Sequence, residues 1–306
     1  MRTRRGYPVD GVSLTAQGLG LKGPRGWVFR GVALDAGPGA LIAVEGPSGS
    51  GRTCLLLTLT GRMKATEGTA TVGEARLPKQ SAAVRRIAAV ANVAGVTDLE
   101  PALTVGEHLR ERALLQSRFG DSLRDLLRPR AERGARARQR VDDALTAAGL
   151  DLESLPKGAR TAVRDLERIE ALRLSVALAM IAKPRLLAVD DVDLKLSEPE
   201  RAEVRTLLRS IAETGTTVLA VCGEAMAGAV VVRTTGAHAA EATEATQATQ
   251  AAEATEVTQA AEATEVTQAA EATEASRTTE AAEAAEGTEA TDRKGDGDAL
   301  AATGRA

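Results

Sequence analysis

Gly46-Pro-Ser-Gly-Ser-Gly-Arg-Thr53 decides the fold of this chain. Three glycines in six residues let a backbone turn tightly, so that successive N–H groups converge on one small anion. The run before it, Ala40-Leu-Ile-Ala-Val44, is short, apolar and β-branched, and predicts a buried strand. Arg52 to Leu59 behind it has helical spacing, which would aim a positive helix N-terminus at the same anion. Strand, glycine turn and helix together are the phosphate-loop pattern, with Arg52 where lysine is usual. An ordinary Gly/Ser turn is the competing explanation, and eight fitting positions with both flanks weigh heavily against it. Candidate nucleotide-binding residues are therefore Gly46, Ser48, Gly49, Ser50, Gly51, Arg52, Thr53 and Cys54, with the Thr53 hydroxyl also a ligand for Mg²⁺.

The second half of a nucleotide site lies about 140 residues on. Leu186-Leu-Ala-Val-Asp-Asp191 is an apolar strand ending in two carboxylates. Asp190 would hold Mg²⁺, and Asp191 would stand where a base orients an attacking water. Two exposed acids after a strand are common by themselves; the earlier loop is what favours the functional reading.

Between and around these halves, strand-like and helix-like segments alternate. Thr69 to Val72 and Thr216 to Cys222 read as strands, and Val163 to Ala182 and the stretch after Ser197 as helices. Pro184 and Gly215 end those helices. Thr104 to Gly158 is helical and Arg-rich, and Gly120, Pro129 and Gly134 are expected to break it into short pieces.

From Gly236 onward the composition changes to Ala, Glu, Thr and Gln, with 15 acidic and 4 basic residues. The body keeps 27 acidic and 35 basic residues, so a net charge of +8 underlies the overall -3. A basic body suits an anionic ligand or membrane surface as well as it suits an ordinary solvated surface. In the tail Ala-Ala-Glu-Ala-Thr-Glu-Val-Thr-Gln occurs at 251–259 and 260–268. A nine-residue period turns a helix by about 900°, so copies face opposite sides and no apolar stripe forms. Disorder, or transient helix, is the expectation for 236–306. Two cysteines give no disulfide framework, and no uncharged apolar run reaches the ~20 residues that cross a bilayer. His108 and His238 are expected at the surface.

Taken together, these stretches resemble the nucleotide-binding domain of ATP-binding cassette (ABC) transporters. Gly39 to Gly46, Gly61 to Gly68, Leu103-Thr-Val-Gly-Glu107, Val176 to Leu187 and Thr216 to Val221 look like five of its anchors in the right order. The resemblance implies an α/β P-loop NTPase of the ABC type: a parallel core sheet, an antiparallel β subdomain and an inserted helical subdomain. It places the cassette at 11–235, its helical subdomain at about 97–170, and the disordered acidic tail beyond. It also implies ATP and Mg²⁺ as cofactors, a permease-like integral membrane partner, and a homo- or heterodimer with another cassette. The location would be cytoplasmic, at the inner face of the cell membrane; no nucleic acid is expected.

The chain also departs from that family. Asn92 stands at the position of the glutamine that senses Mg²⁺ and the transporter. Arg168-Ile-Glu-Ala-Leu172 falls on the signature that caps the partner's nucleotide, without its serine and glycines. Asp191 replaces glutamate at the base position, shortening its reach by about 1.3–1.5 Å where a hydrogen bond needs roughly 3 Å. Gly223 takes the place of the switch histidine. Trp27, with Phe29 nearby, is the candidate for stacking on adenine, though both suit packing equally. Asn92 and Asp191 remain the catalytic candidates. The alterations point to slow hydrolysis, or to a nucleotide-binding regulatory subunit that does not hydrolyse.

Overall fold

The computed structural model describes residues 10–119, 129–224 and 226–235. Its centre is a parallel sheet in the order β6-β7-β8-β3-β9, formed by β3 (Leu41–Glu45), β6 (Ala88–Ala91), β7 (Leu186–Val189), β8 (Thr217–Val221) and β9 (Val230–Arg233). Every residue of β7 and β8 is buried, because helices or a second sheet cover both faces. Strand alternation divides the interior in two. Leu41, Ala43, Leu187, Val189, Val218 and Ala220 face one core; Ile42, Val44, Leu186, Ala188, Leu219 and Val221 face the other.

The second core is closed by an antiparallel sheet, β2-β1-β4-β5, from β1 (Leu14–Gly23), β2 (Gly26–Ala36), β4 (Glu67–Val72) and β5 (Ala75–Leu77). Phe29 of β2 is wholly buried there beside Leu55, Leu56 and Leu59 of α1 (Arg52–Leu59). Each such side chain contributes about 1.5–3 kcal/mol by leaving water. α2 (Ser81–Ile87) leads into β6. The first core takes in α3 (Val105–Phe119), α4 (Arg130–Ala148), α5 (Arg168–Met180) and α6 (Glu198–Glu213).

The phosphate-loop helix and the carboxylate strand stand at Arg52–Leu59 and Leu186–Val189, as their sequences predict. Three other expectations are corrected. The helix expected from Val163 begins at Arg168; Val163–Asp165 is a separate 3₁₀ turn, because Leu166 and Glu167 are extended. Gly134 does not interrupt α4, which runs through it, a tolerated loss of about 1 kcal/mol against alanine. His108 is buried, with Nε2 3.3 Å from the Glu100 carbonyl oxygen, rather than at the surface. The expectations for Gly120, His238 and the tail 236–306 lie outside the described residues.

Candidate nucleotide site

The loop leaves the C-terminal end of β3 and enters α1. Gly46 has φ +153°, and a Cβ there would collide with the Thr234 and Ser50 hydroxyls. Gly51, at φ +84°, is the N-cap of α1, and a Cβ would lie 2.6 Å from the Val28 carbonyl oxygen. Only glycine fits either position. β2 therefore passes directly over the loop. Ser48 and Gly49 are exposed on the loop's outer side. Ser50 is buried, 2.6 Å from the Thr234 hydroxyl, which donates to the Glu45 carbonyl. Having one proton, Thr234 must accept from Ser50, so the Ser50 side chain braces the loop from behind. α1 has no side-chain cap and no acid in its first turn. Its first N–H groups and its positive dipole end stay open to an anion.

Asp190 follows β7 and is 3% exposed. Its Oδ2 accepts the Thr53 hydroxyl at 2.7 Å, and its Oδ1 accepts the Asp191 N–H at 3.1 Å. Burial pushes its carboxyl above the ordinary range, the Thr53 bond opposing and the Asp191 charge reinforcing the shift. A hydroxyl and a carboxylate are the oxygen donors a hard divalent cation takes. Among the described residues no group of three or more His, Cys, Asp or Glu could hold a metal. This pair suits a cation that brings its remaining ligands with it, as phosphate oxygens and water.

Two non-glycine residues in left-handed conformation meet behind this pair, Asn92 at φ +56° and Asp191 at φ +44°. The Asn92 amide donates to the Asp190 carbonyl at 2.8 Å, and its backbone N–H donates to Ser175 Oγ at 2.7 Å. Asn92 thus ties the carboxylate strand to α5. Arg52 crosses the loop to donate to the Cys222 carbonyl at 3.1 Å, at the end of β8. Next to it the Gly223 N–H donates to Asp193 Oδ2 at 2.5 Å. Burial pushes the Cys222 thiol up to about 12, helped by the charges of Asp193 and Glu45. The Cys54 thiol, in the first turn of α1, is raised by burial and then by Asp190. Both stay protonated at neutral pH.

The start of α5 is of another kind. Glu167 caps it, accepting from the N3 backbone, while Glu170 accepts the Glu167 N–H at 2.8 Å. Two carboxylates occupy the helix end that the resemblance assigns to a partner's nucleotide. Trp27 lies in β2 one residue before Val28, close to the loop. Its ring carries the Arg30 guanidinium at 4.4 Å and the Lys22 ammonium at 5.6 Å, and Arg30 is itself paired with Glu67 at 3.0 Å. The structure brings the loop residues, Asp190, Asp191 and Asn92 together. Sequence reading missed Val28, Asp193 and Thr234, and only Asp193, three residues beyond Asp190, had a local signal.

A phosphate loop after one parallel strand, bonded to a buried aspartate after another, defines a P-loop nucleotide-binding protein. Residues 29–193 match the family model described as ABC transporter. That is more than half of the chain, which belongs to the ABC transporter family. The iron(III) import ATP-binding protein FbpC of Streptomyces avermitilis is 32% identical over 207 residues, 65% of this chain and 53% of its own. The hemin import ATP-binding protein HmuV of Gloeobacter violaceus is 27% identical over 68% of this chain and 72% of its own. This chain spans about half of the first relative's length and 28% of a Caenorhabditis elegans ATP-binding protein/permease, wht-3. Among solved structures, cbiO1 of Clostridium perfringens superposes with a TM-score of 0.56 at 18% identity, covering 70% of this chain and 80% of that one. A bacterial Atm1-family ABC exporter with ATP bound gives 0.53 at 19% identity, covering 73% and 37%. Both share the fold.

Proposed function

We propose that this chain binds ATP·Mg²⁺ in the loop 46–54 and couples it, with slow hydrolysis, to a separate membrane-spanning protein. The observation that carries the reading is the 2.7 Å bond between Thr53 and Asp190. It supports a cation site beside open helical N–H groups, where the outer phosphates would lie. Mg²⁺ held by Thr53 and Asp190 would neutralise developing phosphate charge. The backbone of Gly46 to Thr53 orients the phosphates, Asp191 positions water, and Arg52 supplies a cation once it leaves Cys222. Trp27 is the candidate neighbour of the base. The cassette is taken as 11–235, with its helical part at about 97–170.

Slow turnover follows from the departures. Asp191 is one methylene short, Gly223 has no side chain, and the start of α5 is filled by Glu167 and Glu170. The capped α5 favours pairing with an unlike cassette whose own signature completes this loop. It also supports a second reading, a regulatory subunit that binds nucleotide without turnover. No helix among the described residues is long and apolar enough to cross a membrane. The spanning partner is proposed as another chain, with this one at the cytoplasmic face.

Purified chain with labelled ATP tests the reading. We expect saturable binding that strengthens with Mg²⁺, and turnover below about 1 s⁻¹, the lower end of ordinary enzyme rates. Faster turnover would overturn the slow-hydrolysis reading; absence of binding would overturn the nucleotide reading itself.

A further inference from the structure

The excess positive charge of the body is concentrated in one part of the chain. Residues 110–118 of α3 and 129–140, which make up the first half of α4, hold eight arginines against Glu111 and Glu132. That is a net +6 of the body's +8. No residue of 110–118 or 131–140 is buried. Each helix is rooted in the first core by its other end, through Val105 and Leu109 of α3 and Ala144, Leu145 and Ala148 of α4. The two helices pack on each other. Their charged halves, consecutive in the chain, are the ends turned away from the core.

Apolar side chains stand exposed among these cations. Leu114 is 60% and Leu115 44% exposed. Arg110, Leu114 and Arg118 are four residues apart, so they form one row along α3, and all three are exposed. Arg133 and Arg138 of α4 are exposed as well, with no side-chain partner among the described residues. A face that meets only water gains nothing from two leucines set between arginines. The backbone of a nucleic acid would take the guanidinium groups and leave the leucines in water. An anionic bilayer surface takes both: its phosphate groups fit the guanidinium fork, and its acyl boundary just beneath receives short apolar side chains.

We infer that the outward halves of α3 and α4 lie against an anionic lipid surface. Arg110, Arg118, Arg133 and Arg138 meet headgroup phosphates there, and Leu114 and Leu115 reach the apolar layer below. The inference rests on the proposed position of this chain at a membrane face. It adds a contact with the lipid itself, one that needs no spanning protein.

The test sediments the purified full chain with vesicles of phosphatidylcholine alone, or of phosphatidylcholine mixed with phosphatidylglycerol. The mixed vesicles should capture the chain and the neutral ones should not. Added salt should release it, because exposed charges are screened beyond about 8 Å at physiological ionic strength. The pair Arg133→Gln, Arg138→Gln should weaken capture about tenfold or more, as for two cations near a charged surface. The pair Arg133→Lys, Arg138→Lys, which keeps both charges, should retain most of it and covers the case in which the Gln pair folds poorly. Leu114→Ser should weaken capture about threefold or more while leaving its salt dependence unchanged. Equal capture by the two kinds of vesicle would overturn the inference. So would capture indifferent to the Gln pair or to Leu114→Ser. Binding of duplex RNA that rivals the mixed vesicles and ignores Leu114→Ser would assign the arginines to a polyanion and overturn it too. Fractionation of the cells that make this chain separates the two readings. A chain that travels with their membranes but ignores vesicles overturns the lipid contact and leaves the proposed spanning partner standing; a chain found with neither overturns both.

Discussion

Two helix N-termini in this molecule have opposite characters. α1 starts at Gly51 with no side-chain cap and no acid in its first turn, and a hydroxyl and a buried carboxylate meet beside it. α5 starts at Glu167 with a reciprocal pair of glutamates filling its first amides. Both ends carry the same partial positive charge of the helix dipole. One leaves it for a ligand, and the other neutralises it internally. In the proposed reading, the chain keeps the half of a cassette that holds its own nucleotide and has closed the half that would face a neighbour's.

The largest effect should come from Gly51→Ala. A methyl group at φ +84° would drive against the Val28 carbonyl, so the loop must shift away from β2. ATP affinity measured calorimetrically should fall at least about 100-fold, roughly 2.7 kcal/mol. An unchanged dissociation constant would mean that α1 is not the open end. Asp190→Asn should come next. With Mg²⁺ present, affinity should fall about 10- to 30-fold; in EDTA the variant and the parent should bind alike. A loss that persists in EDTA would show Asp190 to be a brace for Thr53 rather than a cation ligand.

Arg52→Ala should cost less, about fivefold or 1 kcal/mol. The guanidinium already has a partner in the Cys222 carbonyl, which phosphate must displace, so its net gain on binding is small. A loss as large as that from Gly51→Ala would show that Arg52 leaves Cys222 at little expense. No change would leave Arg52 as a tie between the loop and β8.

How much of this contrast was legible in the sequence depends on how local its causes are. The open end was readable because its requirements sit in one octapeptide and the run just before it: glycines for the turn, a hydroxyl, and an apolar strand leading in. Asp190 followed from an equally short run. The closed end was misplaced because Val163, Leu166 and Ile169 continue a helical spacing that the backbone does not follow. Glutamate is also an unusual N-cap, so Glu167 and Glu170 did not read as one. By contrast Ser197 and Glu200, three apart, form the ordinary capping pair, and α6 began where expected. Arg52 meeting Cys222, 170 residues away, had no local signature at all. Nor did the burial of His108, whose setting is made by segments distant in sequence.

The smallest effect on nucleotide, and the sharpest test of the contrast, should come from the double substitution Glu167→Ala, Glu170→Ala. Removing a cap costs about 0.5–2 kcal/mol of stability. For a folded body of this size that lowers Tm by a few degrees, at about 2–4 °C per kcal/mol. ATP affinity of the isolated chain should stay within about twofold, because α5 contributes nothing to the loop's own anion site. If affinity rose appreciably, the two carboxylates would be repelling nucleotide bound in the same chain, and the two helix ends would belong to one site. If neither Tm nor affinity moved, the glutamates would cap nothing in solution, and the start of α5 would be as open as that of α1.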